Sequence, residues 1–404
     1  MKSNLQIRRI KLRVILVVIF STLVVLLRLS ITGSPFDKVW AEDGTVFYND
    51  AILHGVHSLL FRYSGYPSVL PRFLALLGTF LPPISFGVYC VLISAFVTGI
   101  SSGYVLNRAS KLGMQTTPAF FCASIICLAP SLRIESLGNL ANLPWVLIYA
   151  TWWSLLTFDT TDSSTSKVIS RILLLLSLLS SPVTALILPT LYLQNKSFYK
   201  NTGNLITCIF GFMFLALDSL FGHQSAPGVT RNNGFSFQTL KELVWGASGN
   251  LSLSSGVCLV VAIIYVSFVA FYFVKTPNSS AKVSMMFGLV LILILSYITG
   301  WVCARYVGFG SFFIVCGILL GYEQNSVLVK KMLVTLLTIF IGLGFLASES
   351  RLSGPSWVAQ IRSSHLMICE DNTKVFRMYV SPLISRNNKV SPWGSFVMPC
   401  PKTR

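Results

Sequence analysis

Two acidic residues stand side by side in a chain that has few of them, Glu42 and Asp43. Only 13 of the 404 residues are Asp or Glu, and four of these fall within one short stretch, SPFDKVWAEDGTVFYND. A carboxylate held beside a hydroxyl can take its proton by general-base catalysis. Glu42 and Asp43 are therefore candidates for activating a hydroxyl. The sequence does not rank the two.

Residues suited to binding phosphate or sugar occur in other polar segments. Arginine can hold a phosphate through two parallel hydrogen bonds, and an aromatic ring can stack on a sugar face. The candidate binding residues are Arg305, Arg133, Arg72, Trp40, Glu135, Asn139, Asn142 and Tyr306. Arg305 is the first choice for phosphate, because its segment WVCARY lies at a predicted helix junction. Asn139 and Asn142 have a second interpretation, as residues that start a helix at Pro144.

Cysteine and histidine patterns predict no metal site. His54 and His57 are three residues apart, but two histidines without a third ligand make a poor metal site. The nine cysteines form no C-x-x-C pair, which argues against structural zinc and thiol redox chemistry. Cys369 and Cys400 are candidates for a disulfide if the tail lies in an oxidising compartment.

The elements that must position these residues are apolar helices. The chain is 53% hydrophobic and 11% charged, with a mean hydropathy of +0.71, so it cannot cover itself with a soluble surface. It is predicted to be an all-α integral membrane protein, a polytopic bundle of about 11 helices. After a first helix that ends near residue 33, the apolar windows are 84–106, 117–132, 143–158, 168–193, 204–221, 253–274, 283–300, 309–322 and 329–347.

Charge in the short loops predicts the orientation. Five basic residues precede the first apolar stretch, which places the N-terminus in the cytoplasm. The window at 168–193 fits either one bent span or a hairpin turning near Ser180-Ser181-Pro182, and the hairpin puts most loop lysines inside. The C-terminus is then periplasmic, although eight Lys and Arg in the tail oppose this assignment. The predicted domains are a catalytic bundle, 1–347, with a first periplasmic loop at 34–83, and a periplasmic tail, 348–404.

Proline and charge set the stretch at 68–83 apart from the spans. It contains Pro71, Pro82 and Pro83 and carries Arg72, which favours a re-entrant or surface helix. The net charge of +18 fits cytoplasmic loops and anionic headgroups. It does not indicate nucleic-acid binding, because no basic run with interleaved aromatics stands clear of the apolar spans.

With an acidic pair in the first external loop after an N-in helix, many further spans and an external tail, the chain resembles the GT-C superfamily of membrane glycosyltransferases. The resemblance implies transfer of a sugar from a polyprenyl-phosphate carrier in a membrane-lipid environment. It implies that Glu42 or Asp43 is the base and that the other carboxylate orients the hydroxyl or binds a divalent ion such as Mg or Mn. Its size and small tail look most like bacterial inner-membrane enzymes that decorate O-antigen or related lipopolysaccharide. The implied partners are the lipid-linked sugar, with glucose as the favoured sugar, and a polysaccharide or lipid-linked glycan acceptor.

Two other functions stay open from the sequence. An O-antigen-type polymerase would use external arginine-rich loops, and 222–252 could serve, but that loop holds one Arg and one Lys. A lipid-linked sugar flippase or other transporter would need charges facing a cavity from mid-helix, and the spans contain almost none.

Overall fold

The computed structural model describes most of the chain, and that part is mostly helical. The described residues are 2–30, 34–63, 65–129, 137–158, 163–195, 197–221, 224–226, 255–299, 304–346, 356–367, 375–379 and 395–399. The α-helices are α1 (Lys2–Ser30), α2 (Asn49–His54), α3 (Val69–Gly78), α4 (Phe86–Lys111), α5 (Thr116–Leu128), α6 (Leu143–Leu156), α7 (Ser164–Ser180), α8 (Ile187–Gln194), α9 (Ser197–Lys200), α10 (Thr202–Phe221), α11 (Ser255–Lys275), α12 (Ser279–Thr299), α13 (Ala304–Leu320), α14 (Val327–Leu346) and α15 (Trp357–Met367).

Two small sheets depart from the all-α prediction. β1 (Arg62–Tyr63) pairs in parallel with β2 (Gln224–Ala226), and β3 (Val375–Tyr379) pairs antiparallel with β4 (Ser395–Pro399). The strands have five residues or fewer, and β1 and β2 are far apart in sequence, so no local alternation of apolar residues signals them.

Among the described residues, three helical segments are long and apolar enough to cross a membrane by length and composition. They are Ile10–Ser30, Pro83–Lys111 and Ser279–Tyr297. Other apolar helices, such as α5 with 13 residues and α6 with 14, are shorter than the roughly 20 residues that cross about 30 Å of hydrocarbon. The figure of about 11 crossings stays a prediction.

Glycines allow α1 and α4 to pack closely. Gly99 and Gly103 form a G-x-x-x-G pair on α4, the spacing that lets apolar helices approach backbone to backbone. A Cβ at position 99 would stand 2.7 Å from the carbonyl oxygen of Val18, and one at position 103 would stand 2.5 Å from the Val18 side chain. This contact fixes the axis of α1 and therefore the place where its C-terminal end enters the first loop.

Basic and polar residues gather at one end of the bundle, which we call the basic end. Arg13 donates to the Thr116 hydroxyl at 3.0 Å, and Gln115 donates to Glu323 at 2.7 Å. Lys330 pairs with the same glutamate at 3.6 Å. The N-terminal half of α1 therefore lies at the same end as the α4–α5 and α13–α14 connections.

The chain reverses where the predicted hairpin turns. At the end opposite the basic end, which we call the site end, the Ser180 hydroxyl accepts the backbone N–H of Leu70 at 2.9 Å. α8 then runs back toward the basic end. Just after α8, Asn195 donates to the carbonyl of Leu155 at 3.2 Å, near the end of α6. A 3₁₀ turn at Pro182–Leu186 makes the reversal.

The first loop, 34–83, folds into a layer across the site end. A π-helix (Asp43–Tyr48) continues into α2, and α3 packs beside it. α3 buries Leu74 and Ala75 and exposes Phe73 and Leu77. An apolar outer face of this kind fits a surface helix in contact with lipid.

The tail is attached to the first loop. The Trp357 indole N–H donates to the Pro83 carbonyl at 2.8 Å, and the Asp37 carboxylate accepts the Val358 N–H at 2.7 Å. Trp357 and Met378 belong to the same buried core as Phe47. The described part of the tail therefore shares a core with the first loop, and the domain boundary at 347 stays a prediction.

Candidate functional site

The acidic pair lies where an α-helical turn widens into the π-helix. Glu42 is the residue before this segment, and Asp43 is its first residue. π-helical turns are rare in proteins overall, but those that occur are often at functional sites. Tyr48, at the other end, stacks on Phe86 with ring centroids 3.7 Å apart. Burial raises the pKa of Tyr48 well above its usual value, so its phenol is neutral and the ring acts as packing.

Asp43 is fully enclosed and binds backbone. Its side chain has no exposed surface, and its two oxygens accept the N–H groups of Leu140 at 2.8 Å and Ala141 at 2.9 Å. Such charge-assisted bonds favour the ionised carboxylate and fix the segment that donates them. Asp43 therefore anchors the residues just before α6.

Glu42 has a different environment. It is half-buried, and one of its carboxylate oxygens accepts the Tyr63 hydroxyl at 3.4 Å, a long and therefore weak bond. Trp40, two residues earlier, is also half-buried, and its indole N–H makes no hydrogen bond within the described part of the chain. Of the two acidic residues, Glu42 is the one that keeps part of its surface exposed, although its Oε2 atom is buried.

Asn139 and Asn142 form a turn. The Asn139 side-chain oxygen accepts both the backbone N–H of Asn142 at 3.0 Å and its side-chain amide at 2.9 Å. α6 follows at once, with Pro144 in its first turn, where a missing N–H costs nothing. Both asparagines are buried. The geometry favours the helix-start interpretation over the sugar-binding one.

Arg72 is buried in an ion pair. Its guanidinium donates to Asp50 at 2.8 Å and to the Pro67 carbonyl at 3.0 Å, and it lies 5.4 Å from the centre of the Phe47 ring. Burial lowers the pKa of Arg72, and the Asp50 carboxylate opposes that effect. With no exposed surface, Arg72 holds α2 against α3, a different role from the phosphate contact that the sequence predicts.

Asp218 lies near the C-terminal end of α10, beside the first loop. Its carboxylate lies within electrostatic range of Arg62 and Arg72, and the pairing of β1 with β2 joins the two segments just beyond. Asp218 is buried. The first loop is thus bound to α10 by charge as well as by backbone.

The described residues do not fit a divalent cation. They contain no group of three or more His, Cys, Asp and Glu placed to hold a metal ion. Both oxygens of Asp43 face N–H donors, and Asp50 faces a guanidinium. A carboxylate directed at such donors is poorly placed to coordinate a cation.

Several predicted site residues cannot be placed. Arg133 and Glu135 lie outside the described residues, as do Cys369, Cys400 and most of the 222–252 loop. Arg305 and Tyr306 lie in the first turn of α13, at the site end, and the structure describes only their backbone.

Two contributors to the site were missed by sequence reasoning, Arg28 and Trp357. Arg28 is buried and donates to the Cys127 carbonyl at 2.7 Å. An arginine at the end of an apolar helix was the available signal, since a charge there needs a polar partner or water. Trp357 gives no local signal, because its partners are about 270 residues away.

Comparison with known proteins gives a distant structural likeness. No family model matches the chain, and no curated protein matches it. Among solved structures, the chain is similar to a crystal structure of the Archaeoglobus fulgidus oligosaccharyltransferase in complex with Zn and sulfate. The identity is 15%, the match covers 88% of this chain, and the TM-score is 0.46. This chain spans 55% of the length of that oligosaccharyltransferase.

Proposed function

We propose that the chain is a glycosyltransferase of the bacterial inner membrane. It moves a sugar from a polyprenyl-phosphate carrier to a surface polysaccharide or lipid-linked glycan on the periplasmic side. The observation that carries the proposal is the acidic pair at the site end of an apolar bundle, where Asp43 is locked to backbone and Glu42 keeps open surface. An anchored carboxylate beside a partly exposed glutamate suits hydroxyl activation at a membrane face.

Glu42 is the general base of this proposal. The acceptor hydroxyl loses its proton to the Glu42 carboxylate while its oxygen attacks the anomeric carbon. The bond from that carbon to the carrier phosphate breaks, and the electron pair leaves with the polyprenyl phosphate. Asp43 is a positioning residue, because its oxygens are already bonded to Leu140 and Ala141.

The leaving phosphate needs positive charge more than a proton, which calls for preorganised cations. Arg305, beside Tyr306 at the start of α13, is the proposed ligand, with Arg133 as the second. A guanidinium makes two directed bonds that lysine cannot copy. Trp40 is the proposed stacking surface for a sugar, with its indole N–H free of other bonds among the described residues.

In-line displacement by one base inverts the anomeric centre. A retaining route would need a carboxylate nucleophile on the other side of the sugar, and adjacent residues such as 42 and 43 do not flank a ring from two sides. A β-linked glucosyl carrier, our proposed donor, then gives an α-linked product.

The test is transfer in vesicles that hold the purified chain and a defined glucosyl polyprenyl phosphate, with NMR assignment of the new linkage. We expect a product of inverted configuration. Transfer directly from a nucleotide sugar would exclude the proposal.

In a deletion strain the surface polysaccharide should lose one side-branch sugar, whereas shortened chains would indicate a polymerase and loss of all surface glycan would indicate a flippase.

A further inference from the structure

Arg171 on α7 holds a positive charge against the start of α10. Its Nε donates to the side-chain oxygen of Asn204 at 3.1 Å, and its Nη2 donates to that of Asn201 at 2.9 Å. Arg171 is half-buried, and no Asp or Glu of the described part of the chain pairs with it. Neutral amide oxygens therefore orient the guanidinium without supplying a negative charge to balance it.

The surroundings of the guanidinium fix its position. The Asn204 amide nitrogen donates to the Phe198 carbonyl at 3.0 Å, which leaves the amide oxygen to face Arg171. Gly203 makes room for the guanidinium, because a Cβ at that position would stand 2.6 Å from the Arg171 Cζ atom. An arginine near a helix end is usually free to extend toward water. Here two hydrogen bonds and a glycine hold it in one place.

Part of the guanidinium keeps its hydrogen-bonding capacity. A guanidinium carries five N–H donors, and the two asparagines use one on Nε and one on Nη2. Nη1 makes no hydrogen bond within the part of the chain that the structure describes. Charge-assisted bonds from arginine to phosphate oxygens are short and strong. The oriented guanidinium can therefore bind a phosphate while the asparagines hold it.

Arg171 lies at the border between polar and apolar surface at the basic end. Lys200, just before α10, is exposed. Deeper in α10 the exposed surface is apolar, with Ile206 61% exposed and Ile209 65% exposed, and Ile172 on α7 is 57% exposed. In a membrane protein such apolar faces contact lipid tails, and basic side chains near helix ends reach the headgroups. Lipid phosphates lie at this border.

The contact between Lys111 and Ser166 shows which end of the bundle this is. The Lys111 ammonium donates to the Ser166 hydroxyl at 3.3 Å, so α7 begins beside the end of α4, at the basic end. The stretch 163–217 contains four basic residues and no Asp or Glu. Its charge therefore complements an anionic headgroup, which is attracted to basic residues near a membrane surface.

We propose that Arg171 binds the phosphate of one anionic phospholipid, in the leaflet at the basic end. Asn201, Asn204 and Gly203 hold the guanidinium, and the apolar faces of α7 and α10 contact the lipid tails. The inference does not depend on the proposed transfer reaction, because it concerns the opposite end of the bundle from the acidic pair.

Native mass spectrometry of the full chain in detergent tests this, with equal amounts of phosphatidylglycerol and phosphatidylcholine of the same acyl chains. The parent should retain at least about fivefold more phosphatidylglycerol, the ratio that one basic residue near an anionic surface provides. Arg171→Gln should lower that preference by about fivefold for the same reason. Arg171→Lys keeps the charge without the planar fork and should give an intermediate preference. A parent without preference, or an Arg171→Gln chain with the parent's preference, overturns the inference.

Gly203→Ala tests the placement of the guanidinium at constant net charge. The added methyl group would occupy the space of the Arg171 Cζ atom, so the guanidinium must move. The preference for phosphatidylglycerol should then fall as it does in Arg171→Gln. An unchanged preference would contradict a built site. If Arg171→Gln does not accumulate, Gly203→Ala and Arg171→Lys decide the question.

Two controls separate this site from general effects. Arg108 is buried at the same end and donates to the Tyr104 hydroxyl at 2.9 Å and the Ser170 hydroxyl at 3.0 Å. Arg108→Gln should lower thermal stability and keep the lipid preference. Lys331 is exposed, and Lys331→Gln removes the same charge as Arg171→Gln and should also keep the preference. If either control loses as much preference as Arg171→Gln, the inference fails.

Inorganic phosphate distinguishes a lipid from a free anion. Added to the parent chain at millimolar concentration, it should leave the bound phosphatidylglycerol in place, because the lipid tails also contact α7 and α10. Displacement of the lipid by inorganic phosphate would show a site for a free anion and would overturn the lipid assignment.

Discussion

Arg72 donates to Asp50 across 2.8 Å, with almost none of either side chain exposed. The pair joins α3 to α2, directly behind the π-helix that carries the acidic pair. Removing one member of a buried ion pair leaves the other charge without its partner, which typically costs more than the pair contributes.

Arg72→Met should therefore lower the free energy of unfolding by about 3–5 kcal/mol, because Asp50 is left charged and buried. Thermal unfolding of the purified chain measures this. The exposed Lys331 supplies the control, since Lys331→Met should change stability by no more than about 0.5 kcal/mol. Normal stability for Arg72→Met together with a raised donor KM would restore Arg72 to the phosphate-binding role that the sequence predicts.

Trp357 should hold the tail to the first loop. Trp357→Ala removes a ring with 1% exposure that lies 6.2 Å from the Phe86 ring, and such truncations cost about 3–5 kcal/mol. Trp357→Phe loses the bond to Pro83 and should cost only about 0.5–1.5 kcal/mol. Limited proteolysis of the tail and thermal unfolding report both.

The exposed Arg362, on the same helix as Trp357, is the control for that series. Arg362→Ala should leave both readouts unchanged. A Trp357→Ala protein as stable and as protease-resistant as its parent would show that the tail contact contributes nothing.

The site end should face the periplasm. The exposed positions His57, in the first loop, and Lys111, at the basic end, give matched cysteine probes. In intact cells an impermeant maleimide should label the His57→Cys chain above the background of the parent and leave the Lys111→Cys chain unlabelled until the membrane is opened. The reverse pattern would invert the orientation and move the proposed reaction to the cytoplasm.

Hydropathy and proline predicted the elements that local sequence controls. The apolar windows correspond to helices, 68–83 contains the short helix α3 with a turn after it, and the chain reverses at Ser181 and Pro182. These features depend on residues that are close together in sequence, so the local pattern of apolar residues and prolines predicts them.

The partners of the site residues could not be predicted, because they lie far away in the chain. Nothing near Asp43 indicates that it binds backbone 97 and 98 residues later. Arg72 looked like a phosphate ligand because its partner, Asp50, is 22 residues away and comes into contact only when α2 packs on α3. The π-helix has no composition signal either, since its hydrogen-bond pattern depends on tertiary packing.

The most direct measurement of the central claim is transfer from the lipid-linked sugar by Glu42→Gln, compared with Asp43→Asn and the parent chain across pH. Positioned proton transfer contributes about 10²–10⁴-fold, so Glu42→Gln should lose at least about a hundredfold in kcat. In the parent, the rate should fall at low pH because the base becomes protonated. Glu42→Gln should not show this fall. Asp43→Asn should lose activity and speed backbone amide exchange at 137–142 while keeping the parent's pH profile. Near-normal transfer by Glu42→Gln, or a pH profile that changes only in Asp43→Asn, would contradict the assignment of Glu42 as the base.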